Sequence, residues 1–268
     1  MASVESNKAK IARRVVEVLE FFDEDHPQAT VMDIVRRYNR PQSSTSELLS
    51  SLVGLGLLYK DPVTRSFTPT PRAALLGASV QSGVVRDGRL AGLIDRLAAQ
   101  TGLGVAVFGM VGTTAQIFTW RPGKYQLRTS QTEGFSGGQH EVLTETAAGH
   151  LLLSTLPQSR RDGLLRRINA EAPADRKFSF AQMVASIEAC AARGHATGVA
   201  GFGSIADVTA MLLPDQPAGR PLAIALVYEP SEQIDVEALR MTMADAIARC
   251  VADRPVQSAS VERIAGAA

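Results

Sequence analysis

At 268 residues the chain exceeds the usual ~100–150-residue domain, which predicts two domains. Its 45% hydrophobic and 21% charged residues exclude a disordered or fibrous protein, and no apolar run approaches the ~18–20 residues that cross a bilayer. With 28 basic and 27 acidic residues the net charge is only +1, so any nucleic-acid surface has to be local.

The start, MASVESNKAKIARR, carries charge with no apolar run behind it, and Cys190 and Cys250 fall singly in helix-like apolar patterns. The expectation is a cytoplasmic protein without membrane, disulfide, metal or cofactor. In residues 9–22 the apolar positions Ile11, Val15, Val18, Leu19 and Phe22 recur at helical spacing, and His26-Pro27 ends the pattern. Thr30 followed three positions later by Asp33 predicts a capped helix running to Tyr38. Asn39-Arg40-Pro41 is a turn, and a third helix follows with Leu48, Leu52 and Leu55 on one stripe. Residues 57–60 and 66–70 then read as two strands around a 61–65 turn.

Alanine- and leucine-rich patterns over 73–80 and 90–99 predict a helical linker. Strands are expected at 105–111, 115–120 and 125–130, and helices at 139–156, 161–169 and 180–193. Two more strands, 205–213 and 222–228, precede a closing helix over 236–253. This order predicts an α+β domain built on an antiparallel sheet. The boundaries expected are a first domain of three helices and a hairpin over 1–73, a linker over 74–98, a second domain over 99–255 and a flexible tail over 256–268.

Three helices and a hairpin form the pattern of a winged helix-turn-helix, which places its third helix in the major groove. On that helix Thr45, Leu48, Leu52 and Leu55 are predicted to face inward, leaving Gln42, Ser43, Ser46, Glu47 and Ser50 outward. Short hydroxyls approach base edges and phosphates closely, and Gln pairs bidentately with adenine. Between Arg36 and Arg72 six basic residues oppose only Glu47 and Asp61, a local charge of +4. The plainer reading is a solvated face in which Ser44 and Glu47 form a capping box.

At these residues the chain resembles the IclR-type transcriptional regulators. The resemblance is carried by PQSSTSELLSSLVGLGLL at 41–58, KDPVTRSF at 60–67, LAAQTG at 97–102, TAAGHLLLSTLP at 146–157 and RGHA at 193–196. It implies an all-α winged helix-turn-helix with a β-wing, a helical linker and a GAF-like α+β sensor domain. It also implies a homodimer or homotetramer on double-stranded operator DNA, with a small-molecule effector and repression as the expected sense. Where the family usually carries Arg in the recognition helix, this chain has Glu47. Contacts to DNA are then expected from Arg36, Arg37, Arg40, Gln42, Ser43, Ser44, Ser46, Glu47, Ser50, Lys60 and Arg65.

By the same analogy an effector pocket lies between the sheet and the loop that enters the 139–156 helix. Gly138, Gln139, His140 and Leu143 match the loop side, with Phe135 a candidate lining residue, and Asp207, Thr209, Leu226 and Tyr228 match the last two strands. Relatives that sense small carboxylates tend to have Cys and Ser on those strands, whereas an unpaired Asp207 repels a carboxylate. The expected effector is therefore larger, aromatic or weakly anionic, with Phe118 and Trp120 as further lining candidates.

One rival reading comes from Gly134-Phe135-Ser136-Gly137-Gly138, which fits G-x-S-x-G, with Asp175 and His195 following in triad order. Too few strand-helix units precede Ser136 for an α/β-hydrolase, so no catalytic role is expected. A third possibility is a ligandless second domain that only oligomerises. His140, Glu145 and His150 do not have metal-ligand spacing, and His150 reads as a partly buried histidine.

Overall fold

The computed structural model describes residues 7–23, 25–124, 127, 135–217, 219–231 and 233–252. It separates into two compact units, Met1–Gln81 and Ser82–Ala268.

In the first unit α1 (Asn7–Glu20), α2 (Val31–Tyr38) and α3 (Gln42–Gly54) precede a wing of β1 (Leu58–Lys60) and β2 (Phe67–Pro69). α4 (Pro71–Leu75) and a 3-10 turn, Ala78–Val80, complete it. Thr30 caps α2 as its sequence predicts, accepting from the Asp33 N–H, while Asp33 Oδ2 accepts from the Thr30 N–H at 2.8 Å. The Thr30 hydroxyl also donates to Asp33 Oδ2 at 2.7 Å, and this bond foremost, with that from the Thr30 N–H, holds the Asp33 carboxyl below the usual carboxylate range. Asn39 ends α2 in the left-handed region, φ 48°, where Asn is tolerated better than most residues. Val18, Ala29, Ile34, Leu49, Leu52, Leu57, Leu58 and Phe67 form the core.

The inward stripe of α3 is Thr45, Leu49 and Leu52, with Leu48 half-buried. Leu55, expected on that stripe, is 62% exposed. It caps the helix C-terminus, rotated by its spacing away from the core-facing side.

The second unit opens with α5 (Gly83–Arg86) and α6 (Arg89–Thr101), followed by β3 (Gly104–Val111) and β4 (Thr114–Arg121). Next come β5 (His140–Val142), α7 (Ala147–Leu153), α8 (Gln158–Glu171) and α9 (Phe180–Arg193). β6 (His195–Val199), β7 (Asp207–Leu212), β8 (Leu222–Tyr228) and α10 (Val236–Ala252) close it. The strands form one sheet in the order β5-β4-β3-β8-β7-β6, with every neighbouring pair antiparallel.

Central β3 is buried on both faces, which is why it reads as a continuous apolar run rather than an alternation. Its odd positions Val105 and Val107 pack with Leu93, Leu97, Met243 and Ile247 of α6 and α10. Its even positions Ala106 and Phe108 pack with Leu151 and Leu152 of α7 on the other face. The stretch read as a linker divides between the units, because Val84, Leu93, Ile94 and Leu97 are core residues of the second.

Two further expectations are corrected. The helix expected over 139–156 begins only at Ala147, because Thr146 is its N-cap and His140–Val142 pairs with β4. Leu143, Ala147 and Leu151 imitate helical spacing across that boundary, whereas the β-branched Val142, Thr144 and Thr146 precede it. The short β6 was not expected, because Gly198 and a single large aliphatic leave HATGV without a strand signature. The strand expected over 125–130 lies largely outside the described residues.

Gly149 shows how closely α7 is set. A Cβ there would lie 2.0 Å from the Leu143 carbonyl oxygen, while its N–H donates to Thr146 Oγ1 at 2.9 Å. Gly149→Ala should therefore destabilise the second unit by ~1–3 kcal/mol, as overpacking does. Gly163→Ala on α8, where a Cβ meets nothing within 4 Å, should stabilise it by ~0.5–1 kcal/mol. Urea unfolding followed by Trp120 fluorescence measures both, and a wild-type midpoint for Gly149→Ala would contradict the packing described.

Candidate functional site

On α3, Gln42, Ser43, Ser46, Glu47 and Ser50 are exposed and Ser44 is half-buried. Several hydroxyls turn back onto their own helix: Ser50 Oγ donates to the Ser46 carbonyl at 2.8 Å and Thr45 Oγ1 to that of Pro41 at 2.9 Å. Gln42, Ser43 and Ser46 make no side-chain hydrogen bond among the described residues, so their polar atoms face solvent uncommitted. The helix starts at Gln42 behind Pro41, so the capping box considered for Ser44 and Glu47 does not form. Ser44 Oγ instead donates to the Pro41 carbonyl and accepts from Arg14 Nη2 at 3.1 Å.

The basic residues differ in availability. Arg36 and Arg37 are exposed in the last turn of α2. Arg40, expected to anchor phosphate, is instead ion-paired with Glu17 of α1 at 3.1 Å, which neutralises it. Lys60 Nζ stands 5.6 Å over the Phe67 ring, and Arg65 adopts φ 59° in the wing turn. Asp61 Oδ1 accepts from the N–H groups of Val63 and Thr64 at 2.7 and 2.9 Å. These bonds hold its carboxyl below the usual range and tie its charge into the turn. Half-buried Arg14, 22 positions before Arg36 in the chain, is joined to α3 through Ser44.

In the second unit an aromatic cluster lies on the α7 face of the sheet. Trp120 and Phe135 stack with centroids 5.0 Å apart, Phe135 lies 5.7 Å from Phe202, and Phe202 lies 5.8 Å from Phe108. Phe202 has φ 56°, and strained backbone of this kind concentrates at functional sites. Leu143 is buried beside the cluster in the same core, and Gly138 binds β4 through its N–H and the Ile117 carbonyl at 2.7 Å. Gln139 Oε1 is buried with no hydrogen-bond partner among the described residues, and His140 is exposed.

The strand candidates do not join them. Leu226 packs in the α6/α10 core, and by alternation Asp207, Thr209 and Tyr228 point to that same face. Thr209 Oγ1 and the Tyr228 hydroxyl lie 3.0 Å apart, and burial raises the Tyr228 pKa. The reason is parity, since a one-residue offset in a strand exchanges its two faces. Val208, Ala210, Ala225 and Val227 are the residues that face α7. Phe118, the other expected lining residue, is 49% exposed and lies against Gly109.

Ser136 precedes β5 on one edge of the sheet, whereas His195 begins β6 on the other edge with Nδ1 3.1 Å from the Arg193 carbonyl. His150 is held between the Thr144 carbonyl (3.0 Å) and Ser186 Oγ (3.3 Å), and burial lowers its pKa, favouring the neutral ring. No group of three metal-ligating side chains occurs among the described residues. Both cysteines are buried, and they form no disulfide with each other. No helix among the described residues is long and apolar enough to cross a membrane.

Three helices, an exposed polar third helix and a wing define a winged helix-turn-helix, joined in this chain to an α+β domain. Residues 12–62 match the family model of the IclR helix-turn-helix domain, so the first unit is a DNA-binding domain of that type. The whole chain has the fold of IclR-type regulators. An IclR transcriptional regulator from Alicyclobacillus acidocaldarius aligns over 92% of this chain and 98% of its own, with 19% identity and a TM-score of 0.55. An IclR homolog from Microbacterium hydrocarbonoxydans, solved in complex with 4-hydroxybenzoate, covers 90% of this chain and 99% of its own, with 16% identity and a TM-score of 0.51. The Thermotoga maritima IclR covers 90% and 97%, with 13% identity and a TM-score of 0.51. No curated protein sequence matches the chain.

Proposed function

We propose that the chain is a cytoplasmic, effector-responsive transcriptional repressor that binds operator DNA as a homodimer or homotetramer. The observation that carries the reading is the uncommitted polar face of α3, set beside a wing and exposed arginines in an IclR-type domain. Gln42 and Ser46 read base edges, with Ser43, Glu47 and Ser50 on the same face. Arg36, Arg37, Lys60 and Arg65 engage phosphates. Residues 1–81 form the DNA-binding unit. Exposed Ile11 and Val16 on α1, with Leu75, Leu76 and Val80, supply apolar surface for self-association.

The effector is an aromatic or weakly anionic molecule bound on the α7 face, among Trp120, Phe135, Gly138, Gln139, Leu143 and Phe202; exposed His140 pairs with Gln116, whose side chain alternates with those of Ala115 and Ile117, and so turns to the other face. The homolog holding 4-hydroxybenzoate supports an aromatic ligand for this architecture. The buried Gln139 Oε1 suits a ligand donor such as a hydroxyl. A ligand that prefers one arrangement of the assembled protein shifts its affinity for the operator by that preference alone.

A duplex selected in vitro from random sequence by the full-length protein tests DNA binding. Affinity should fall steeply with salt as counterions are released. Gln42→Ala should cost ~1–3 kcal/mol on the selected duplex and little on random DNA, whereas Lys60→Ala should weaken both alike. Equal losses for Gln42→Ala on the two duplexes would remove its reading role.

Trp120, the chain's only tryptophan, reports the second site. Titration with aromatic acids, 4-hydroxybenzoate first, should change its fluorescence, and Gln139→Leu should weaken that binding about tenfold through one lost hydrogen bond. Tyr228→Phe should leave it unchanged. The reverse pattern would move the effector to the α6/α10 face.

A further inference from the structure

We propose that Arg14 of α1 is a DNA-phosphate contact of this protein, positioned for that role by its hydrogen bond to the recognition helix. The inference rests on the DNA-binding reading above and assigns part of the interface to an element outside the helix-turn-helix pair.

α1 grips the entrance to α3 at two points one helical turn apart. Glu17 holds Arg40, just before α3, with Arg40 Nη2 at 3.1 and 3.2 Å from its two carboxylate oxygens. Arg14 Nη2 donates to Ser44 Oγ, in the first turn of α3, at 3.1 Å. The two arginines are otherwise unlike. Arg40 is neutralised by a carboxylate, while Arg14 has a hydroxyl as its partner and, among the described residues, no acidic one.

A guanidinium carries five N–H donors in a planar fork, and a single hydroxyl uses one of them. The half-buried Arg14 also stands at the positive end of the α3 dipole, behind a Pro41 cap that offers no side-chain acceptor. A cation is disfavoured there until an anion shares the position. A tie between helices needs only a neutral donor to Ser44, which glutamine supplies without that electrostatic cost. The positive charge is accounted for by a phosphate that bridges the remaining guanidinium donors as α3 enters the groove. Arg14 thereby takes the anchoring role that the sequence suggested for Arg40, and it positions α3 without reading bases.

The test measures binding of the full-length protein to the in-vitro-selected duplex and to a random duplex by fluorescence anisotropy across a salt series. Arg14→Gln should weaken both duplexes alike, about tenfold, which is the lower end for a charged hydrogen bond. It should also flatten the slope of log K against log salt by about 0.9, the loss of one phosphate contact. Arg14→Lys should keep the slope, and Arg40→Gln should leave it unchanged. Ser44→Ala should weaken binding with the wild-type slope, because it loosens the guanidinium without removing its charge.

Arg14→Met, which keeps the aliphatic stem, is read in the same way and serves if Arg14→Gln does not fold, as judged by urea unfolding. A wild-type slope in the folded Arg14→Gln or Arg14→Met protein, with affinity lowered or not, would overturn the proposal and leave Arg14 a structural tie. A wild-type protein that selects no duplex would overturn the DNA-binding reading itself, before any variant is compared.

Discussion

Thr45, Leu49 and Leu52, each almost wholly buried, seat α3 on the first unit's core and determine which of its side chains meet solvent. The spacing of three and four residues confines them to one narrow stripe, so the rest of a short helix rich in serine is left outward. Everything proposed for DNA reading depends on that orientation. Rotation by one residue position would bury Ser46 or expose Leu49, at a cost of ~1.5–3 kcal/mol for a buried leucine alone. The polar grip of α1 on the α2–α3 turn adds direction to the apolar seat, since Glu17 takes Arg40 and Arg14 takes Ser44.

A comparable constraint organises the second unit, where strand alternation decides which residues face α7 and which face α6 and α10. β3 is buried on both sides, so the sheet has two cores and no solvent face along its centre. Small residues, Ala106, Ala210, Ala223 and Ala225, floor the α7 side, which leaves room there for the aromatic cluster of Phe108, Trp120, Phe135 and Phe202. Gly149 permits the tight start of α7, and the left-handed Phe202 delivers its ring from the β6–β7 loop.

Much of the first unit was legible in the sequence because its signals are local. The Thr30–Asp33 cap, the Asp61–Arg65 turn and the three-and-four spacing of apolar residues each act within a few positions. The roles of Arg14 and Arg40 were not legible, because they depend on partners 30 and 23 residues away. In the second unit most strands and long helices followed from periodicity. The assignment of Asp207, Thr209, Leu226 and Tyr228 to the loop's face failed for a different reason. A strand such as β8, apolar at nearly every position, carries no mark of which face is which, and only pairing in the sheet supplies it. Phe202 was missed because an aromatic residue among glycines gives no periodic signal at all.

In the proposed mode of binding α3 enters the major groove of DNA with its polar face toward the bases. Dimethyl sulfate footprinting of the full-length protein on its in-vitro-selected duplex tests this directly, since the reagent methylates guanine N7 in the major groove and adenine N3 in the minor groove. Guanine N7 within the selected site should be protected, with no protection when the same protein is mixed with random duplex. Protection confined to adenine N3, or a selected site whose guanines remain fully reactive under saturating protein, would contradict it.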